Sequence, residues 1–247
     1  DEVEADPSLT TVQKSIDYAN GNSITGVIGF GGGSPMDVAK LTALVSGSKE
    51  LLDGAWGVGN AEGPRLPLCL IPTTAGTGSE VTPISIITIE GAEKRGVVSS
   101  ILIPDLAILD PQLTIGLPAQ ITAATGVDAM VHAIEAFSSK SPNNNQLSRV
   151  MAREALAFLS QSIEKVVENG ENLDARSNML LGSMMAGMAF ANSPVAAVHA
   201  LAYPLGGTFH IPHGLSNSLV LSEVLHFNSF NEEAAADYAN LVQIVSP

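Results

Sequence analysis

Three consecutive glycines between an apolar run and a helix start constrain the fold of this chain most strongly. The apolar run, residues 24–30, is typical of a strand buried in a parallel sheet. After the glycines, Ser34 as N-cap and Pro35 as the first helical residue predict a helix that continues to about Ser46. The order strand, glycine turn, helix therefore predicts an α/β fold for the first part of the chain.

The same turn has the properties that a phosphate site needs. Glycines leave backbone N–H groups uncovered, and a helix N-terminus carries the positive end of the helix dipole. The alternative is an ordinary tight turn. The phosphate-binding prediction covers this turn and the start of the helix, Gly31, Gly32, Gly33 and Ser34.

A second candidate cofactor segment follows the next predicted strand, residues 66–71. Residues 72–80 after it are rich in Thr, Gly and Ser, so hydroxyl and amide groups are available where a parallel strand ends, the usual ligand edge of open α/β sheets. Residues 84–89 and 96–98 predict a hairpin. Lys94, which leads into its second strand, is a candidate for contact with a nucleotide because the chain has only 11 basic residues.

The sequence changes character near Pro118. Strand-like runs stop, and periodicity typical of helices rich in Ala, Met and Leu takes over. Helices are predicted over residues 119–138, 146–169, 175–191 and 195–203 and from 215 onward. We therefore expect an α/β domain over residues 1–115 and an all-α domain over residues 116–247.

Four acidic or imidazole side chains of the helical part indicate a metal site. Asp128 and His132 are four residues apart, so on a helix they share one face. An unpaired buried carboxylate there would be costly without a cation or hydrogen-bond donors. His199 and His213 flank a segment bent by prolines and glycines. We predict a divalent ion held by one carboxylate and three imidazoles, a donor set that suits Fe(II) or Zn(II).

Two further side chains, His210 and Glu135, lie close to these candidate ligands in the sequence. His210 is placed in the wall of the site. Glu135, three residues after His132, is either a hydrogen-bond partner of a metal ligand or a solvent-facing residue.

Composition narrows the class of ligand and the location. The formal charge of −14 argues against nucleic acid and anionic membranes as partners and leaves small molecules as the expected ligands. The lone cysteine, Cys69, allows no disulfide framework, and no secretory signal opens the chain, so a cytoplasmic protein is expected. Polar residues interrupt the most apolar region, residues 179–207, so no membrane span is expected. Both ends look cut, which indicates an internal fragment.

Taken together, these motifs resemble the iron-containing (group III, metal-dependent) alcohol dehydrogenases over essentially the whole chain. The motifs that carry the resemblance are Gly31-Gly32-Gly33-Ser34-Pro35-Met36-Asp37, residues 72–80, the Asp128 and His132 helix, and His199 through Pro212-His213-Gly214. The resemblance implies a Rossmann-like dinucleotide-binding domain, then a helical metal-binding domain, as in the dehydroquinate synthase-like architecture, with the active site between them. It implies a metal held by Asp128, His132, His199 and His213. It also implies NAD or NADP held by Gly31, Gly32, Gly33, Ser34 and Asp37 of the glycine turn and helix start and by Thr73, Thr74, Thr77 and Lys94.

The activity that the resemblance implies is the reversible oxidation of a small primary alcohol or diol to the aldehyde, in a homodimer. Tyr203 stands where some members carry a histidine near the substrate, and we predict a hydrogen-bonding or proton-relay role for it. One alternative is a glycerol dehydrogenase or dehydroquinate synthase-like relative, which uses three protein ligands. Another is a nucleotide-binding protein without catalysis in its truncated form.

Overall fold

The computed structural model describes residues 2–48, 52–89, 93–209 and 211–245. The chain forms two compact units, the first of Asp1–Thr73 and Ser79–Asp110, the second of Thr74–Gly78 and Pro111–Pro247. The first is mixed α/β and the second is helical, which confirms the predicted fold class. The main part of the second unit begins at Pro111, four residues before the predicted boundary at Ile115. The domain limits of the complete protein stay a prediction.

The first unit contains two small sheets. The strands are β1 (Val27–Gly31), β2 (Gly57–Val58), β3 (Leu68–Pro72), β4 (Ile84–Thr88), β5 (Lys94–Val98) and β6 (Leu106–Ala107). Strands β1, β3 and β6 pair in parallel with β3 in the middle, which confirms the parallel sheet. The predicted burial of β1 is wrong for one face, because alternate side chains of a strand point to opposite faces and Ile28 and Phe30 are 69% and 56% exposed. Strands β4 and β5 form the predicted antiparallel hairpin, and β2 pairs with β5 in parallel.

One helix of the first unit packs against both sheets. The helices are α1 (Leu9–Gly21), α2 (Gly33–Ser48) and α3 (Leu52–Ala55). Met36 and Ala39 of α2 pack with Leu68 and Leu70 of β3, whereas other α2 side chains join a cluster with α1, β4 and β5. Helix α2 is therefore apolar around most of its circumference rather than on one stripe.

The start of α2 differs from the prediction. The helix includes Gly33, and the carbonyl of Gly32 accepts a hydrogen bond from Met36 N at 3.4 Å, so Ser34 is not the N-cap and Pro35 is not the first helical residue. The Ser34 hydroxyl instead accepts from the backbone N–H of Asp6 at 3.2 Å. The helix begins before Ser34 because glycine can make the turn into the helix without a side-chain acceptor.

The second unit is a bundle of six helices in its described residues. They are α4 (Ala119–Ser138), α5 (Gln146–Glu168), α6 (Leu173–Asn192), α7 (Ala197–Phe209), α8 (His213–Asn228) and α9 (Glu232–Val245). Ala129 of α4, Leu159 of α5 and Met179 of α6 belong to one buried cluster. Arg149 of α5 pairs with Asp237 of α9 at 2.5 Å.

The predicted helical character is confirmed, and the ends of α4, α5 and α6 agree with the predicted ones to within two residues. Helix α7, in contrast, continues to Phe209, six residues past its predicted end, with Pro204 inside it. The region predicted as helical from residue 215 onward forms two helices, α8 and α9.

No single described helix is long and apolar enough to cross a membrane. Helices α6 and α7 reach the required length and hydropathy only together, and the chain bends by 109° between them.

Candidate metal centre

Three helices of the second unit carry the predicted metal ligands. Asp128 and His132 lie on α4, His199 lies in the first turn of α7, and His213 is the first residue of α8. Beside the ligands, Val131, Val198 and Val224 form a buried apolar cluster. These contacts hold the three helices together at the point where their ligand side chains meet.

The separations of the ligand atoms match the needs of a tetrahedral ion. One atom each from Asp128, His199 and His213 lies within 4.8 Å of the others. Oδ1 of Asp128 is 3.6 Å from Nε2 of His199 and 3.5 Å from Nε2 of His213. A tetrahedron with metal–ligand distances of about 2.1 Å has edges of about 3.4 Å. A carboxylate with imidazoles is also the donor set of Fe(II) and Zn(II) sites.

The His199 ring is oriented by a buried carboxylate. His199 Nδ1 lies 2.6 Å from Oε2 of Glu135, whose Oε1 accepts from the backbone N–H of Val198 at 2.8 Å. An Nδ1–H that donates to a carboxylate leaves the Nε2 lone pair for a metal, the usual arrangement of ligating histidines. Glu135 is 6% exposed, so of its two predicted assignments the solvent-facing one is wrong.

His132 lies beside the group of three ligand atoms. Its ring stacks on those of His199 and Phe190, with centroids 4.6 and 4.5 Å away. Its Nδ1 is 3.3 Å from the carbonyl oxygen of Gly76, which can only accept, so the proton is on Nδ1 and the Nε2 lone pair is free to bind a metal. The orientation suits a ligand, although the three converging atoms of the described residues come from the other side chains.

The charges of the cluster favour a cation. Burial alone would raise the pKa of Asp128, but His132, His199 and His213 outweigh it and hold that pKa well below its usual range. Burial lowers the pKa of His132 to about 4. Burial also opposes the charge of His199, yet the hydrogen bonds to Asp128 and Glu135 raise its pKa to about 9. Without a metal, positive charge therefore sits on an imidazole between two carboxylates.

The third imidazole is partly open to solvent and lies next to Tyr203. The His213 side chain is 42% exposed, whereas Asp128 is almost fully buried. The rings of Tyr203 and His213 are nearly parallel, with centroids 5.9 Å apart. The structure thus brings Tyr203 to the ligand cluster. His210 lies outside the described residues.

In the first unit, the glycine turn and Thr73 lie at the same edge of the parallel sheet. Strands β1 and β3 are in register, and the backbone N–H of Thr73 donates to the carbonyl of Gly31 at 2.8 Å. Gly31 has φ +145°, and a Cβ there would lie 2.7 Å from the Pro35 ring. Gly32, Gly33 and Ser34 follow at the N-terminus of α2. This is the edge at which open α/β sheets bind ligands.

Two predicted cofactor residues already have protein partners in the first unit. The Asp37 carboxylate accepts from Ser79 Oγ at 2.7 Å and from the backbone N–H of Ile86 at 2.9 Å. Lys94 forms an ion pair with Asp6. Their contact with a cofactor stays a prediction.

Thr74 and Thr77 belong to a short segment, Thr74–Gly78, that is part of the second unit. A Cβ on Gly76 would lie 2.8 Å from the Thr125 side chain, and a Cβ on Gly78 would lie 2.6 Å from Gly187 Cα. Only glycine permits these approaches, which bring the segment against α4 and α6.

Comparison with known proteins supplies the family. A model described as iron-containing alcohol dehydrogenase matches residues 1–111, and one for the C-terminal part of the Fe-containing alcohol dehydrogenase family matches residues 122–246. The chain belongs to the iron-containing alcohol dehydrogenase family. The resemblance inferred from the glycine turn and the spaced ligands is thereby confirmed.

Three relatives illustrate the extent of the match to this family. Long-chain-alcohol dehydrogenase 1 of Geobacillus thermodenitrificans is 45% identical over 229 residues, which are 92% of this chain and 57% of that protein. The alcohol dehydrogenase from Oenococcus oeni superposes with a TM-score of 0.93 at 33% identity, covering 99% of this chain and 63% of that one. Sulfoacetaldehyde reductase from Bifidobacterium kashiwanohense, solved with NAD+, superposes with a TM-score of 0.86 at 31% identity, covering 99% of this chain and 70% of that one. The chain thus spans little more than half the length of the first of these relatives.

Sequence reasoning missed one buried polar residue of the candidate metal centre. Asn217 of α8 is fully buried, and its Nδ2 donates to Oδ1 of Asp128 at 2.6 Å. The available signal was its position four residues after His213, which puts both side chains on the same helix face. Asparagine is common on helix surfaces, so the spacing alone did not distinguish it.

Proposed function

We propose that the protein is a metal-dependent oxidoreductase that transfers a hydride between a primary alcohol or diol and NAD or NADP. Oxidation of the alcohol gives the aldehyde, and the reaction is reversible. The observation that carries the proposal is the placement of Asp128 Oδ1 at 3.5 and 3.6 Å from two imidazole nitrogens, close to the edge of a tetrahedral metal site.

The metal ligands are Asp128, His199 and His213, with His132 as the fourth. A divalent ion, Fe(II) or Zn(II), supplies Lewis-acid stabilisation of the substrate oxygen when it is bound. Burial of Asp128 and His199 excludes water from one side of the site, whereas the partly exposed His213 marks the side that a substrate can reach. We assign to Tyr203 a hydrogen bond to the substrate hydroxyl or the relay of its proton, and the support is the contact of its ring with that of His213.

The proposed cofactor contacts are those that the family resemblance implies, and each is described within its own unit. Gly31, Gly32, Gly33 and Ser34 offer backbone N–H groups and a hydroxyl to the pyrophosphate at the N-terminus of a helix. Thr73, Thr74 and Thr77 contact the nicotinamide end, and Lys94 contacts the ribose or a phosphate. Asp37 supports the turn from α2 through its bonds to Ser79 and Ile86. The bound cofactor supplies the hydride acceptor.

The test is metal retention and turnover in the full-length protein purified without oxygen. His199→Ala should lose the metal, measured by elemental analysis, and should lose alcohol-dependent NADH formation over a panel of alcohols. A metal-free preparation that oxidises alcohol at an undiminished rate would refute the proposal.

One observation favours the relative with three protein ligands. The converging atoms come from one carboxylate and two imidazoles, the ligand number of the glycerol dehydrogenase-like alternative. His132→Ala distinguishes the two functions. If His132 is a ligand, this variant loses the ion as His199→Ala does. Retention of the ion, together with a preference for glycerol in the alcohol panel, would support the alternative.

We further propose that the protein works in the cytoplasm as a homodimer, without nucleic acid or membrane partners. The formal charge of −14 argues against nucleic acid and anionic membranes, and the lone cysteine fits a reducing compartment. The homodimer is what the resemblance to the family implies.

A further inference from the structure

Asn217 reaches all three converging ligand atoms of the metal centre. Its Nδ2 lies 2.6 Å from Oδ1 of Asp128, 3.2 Å from Nε2 of His199 and 3.4 Å from Nε2 of His213. The residue has no solvent exposure. Its side-chain oxygen, Oδ1, is buried and has no hydrogen-bond partner among the described residues. The amide is thus held in this position by its nitrogen alone.

The three contacts differ in whether they can persist beside a metal ion. The Nε2 lone pairs of the two histidines are the ones that an ion takes, so an ion replaces the contacts at 3.2 and 3.4 Å. Oδ1 of Asp128 has more than one lone pair, so it can bind an ion and still accept the N–H of Asn217. The bond to Asp128 is also the shortest, and hydrogen bonds to a charged acceptor are the stronger ones.

Asp128 has few other means of holding its rotamer. It lies in a stretch of α4 whose buried neighbours, Ala129 and Val131, are apolar. Apart from the imidazoles that would share the metal, Asn217 donates the only hydrogen bond to this carboxylate that the described residues show. A metal carboxylate that is itself hydrogen-bonded is fixed in direction, and loss of such a bond weakens metal binding.

We propose that Asn217 is a positioning residue of the metal centre, whose amide N–H holds the Asp128 carboxylate at the separation from His199 and His213 that a tetrahedral ion requires. This inference rests on the metal site proposed above. Asn217 is not a fifth ligand. It binds no metal and acts through Asp128.

The experiment compares Zn(II) dissociation constants, from competition with a chromogenic chelator, for the wild-type protein, Asn217→Leu and Ser216→Ala. Leucine has the same number of side-chain heavy atoms and the same branch point as asparagine, but it is larger and has no donor. Ser216 is the matched control, because it is equally buried on the same turn of α8 and its hydroxyl donates to the Ile211 carbonyl, away from the ligands. We expect Asn217→Leu to weaken Zn(II) binding by about 10- to 100-fold and Ser216→Ala to leave it unchanged.

A second readout and a second variant separate positioning from folding. The visible spectrum of bound Co(II) reports the coordination geometry, and it should change in Asn217→Leu and not in Ser216→Ala. Asn217→Ala, which cannot overpack the site, should weaken Zn(II) binding to a similar degree while circular dichroism shows the native helix content. Zn(II) affinities within threefold of wild type in both Asn217 variants, or an equal loss in Ser216→Ala, would overturn the inference.

Asp128→Ala distinguishes failure of this inference from failure of the metal site. If neither the wild type nor Asp128→Ala binds Zn(II), the proposed metal centre itself is wrong, and the inference falls with it. If the wild type binds, Asp128→Ala does not, and both Asn217 variants bind normally, then only the role of Asn217 is refuted.

Discussion

Gly214 controls how closely α8 approaches α4, and replacing it by alanine should dismantle the metal centre. A Cβ at this position would lie 1.9 Å from the carbonyl oxygen of Ala124 on α4. That oxygen belongs to helix backbone and cannot rotate away as a side chain can. Gly214 follows His213 directly, so any movement that relieves the contact also moves a predicted ligand.

The size of the displacement follows from the contact distances. Ordinary van der Waals contact begins at 3.4 Å, whereas the Cβ would lie 1.9 Å from the Ala124 oxygen. Helix α8 must therefore move away from α4 by about 1.5 Å. Added to the present 3.5 Å between Asp128 Oδ1 and His213 Nε2, this gives at most about 5 Å, compared with the edge of about 3.4 Å that a tetrahedral ion allows. Overpacking of this kind also costs about 3 kcal/mol in the free energy of unfolding.

The assay is Zn(II) binding by calorimetry, with thermal unfolding measured with and without the metal. Gly214→Ala should weaken binding by about 100-fold, at least as much as loss of an outer hydrogen bond does, and should lower the unfolding temperature. Gly206→Ala is the control, because its Cβ would meet only the Ile211 carbonyl at an ordinary 3.5 Å. If Gly214→Ala bound Zn(II) as tightly as Gly206→Ala, close approach of the two helices would not be what assembles the site.

Three further predictions concern pH, metal removal and the glycine turn. Burial raises the pKa of Glu80 from 4.5 to about 7, so the folded protein should lose stability as pH rises from 4.5 to 7. Over this range the wild type should lose on the order of 3 kcal/mol in its free energy of unfolding, and Glu80→Gln should not show this loss. The measurement is urea unfolding at several pH values, and the same pH dependence in both proteins would contradict the prediction. Metal present at about 100 times its dissociation constant should stabilise the wild type by about 2.7 kcal/mol over the chelated protein, and an equal gain in His199→Ala would place the ion elsewhere. Gly31→Ala, strained at φ +145° and blocked by Pro35, should weaken NADH binding about tenfold in a fluorescence titration. Gly54→Ala, whose Cβ meets nothing within 4 Å, should bind NADH normally.

Interactions that act along the chain were readable from the sequence. The apolar run before three glycines predicted β1 and the turn into α2, and strand pairing confirmed both the parallel sheet and the β4–β5 hairpin. Helix α4 begins and ends where its periodicity predicted, at Ala119 and Ser138. These features depend on side-chain periodicity and on backbone preferences of glycine and proline, which are local properties.

The candidate site was readable only in its donor types. The spacing of Asp128 and His132 and the two later histidines indicated a carboxylate and imidazole site. The sequence did not show that Asp128, His199 and His213 converge while His132 stacks beside them. It also did not show that Asp37 and Lys94 find partners within their own unit.

By itself, then, the sequence determined the change from α/β to helical structure, the glycine turn and the chemistry of the metal donors. Tertiary structure alone decided which donors meet, that Glu135 orients His199, and that Asn217 reaches Asp128 across 89 residues of chain. It also decided the contact of Gly214 with Ala124 that sets the distance between α8 and α4. The physical reason is that local preferences act over a few residues, whereas these distances are set by how buried helix faces pack together.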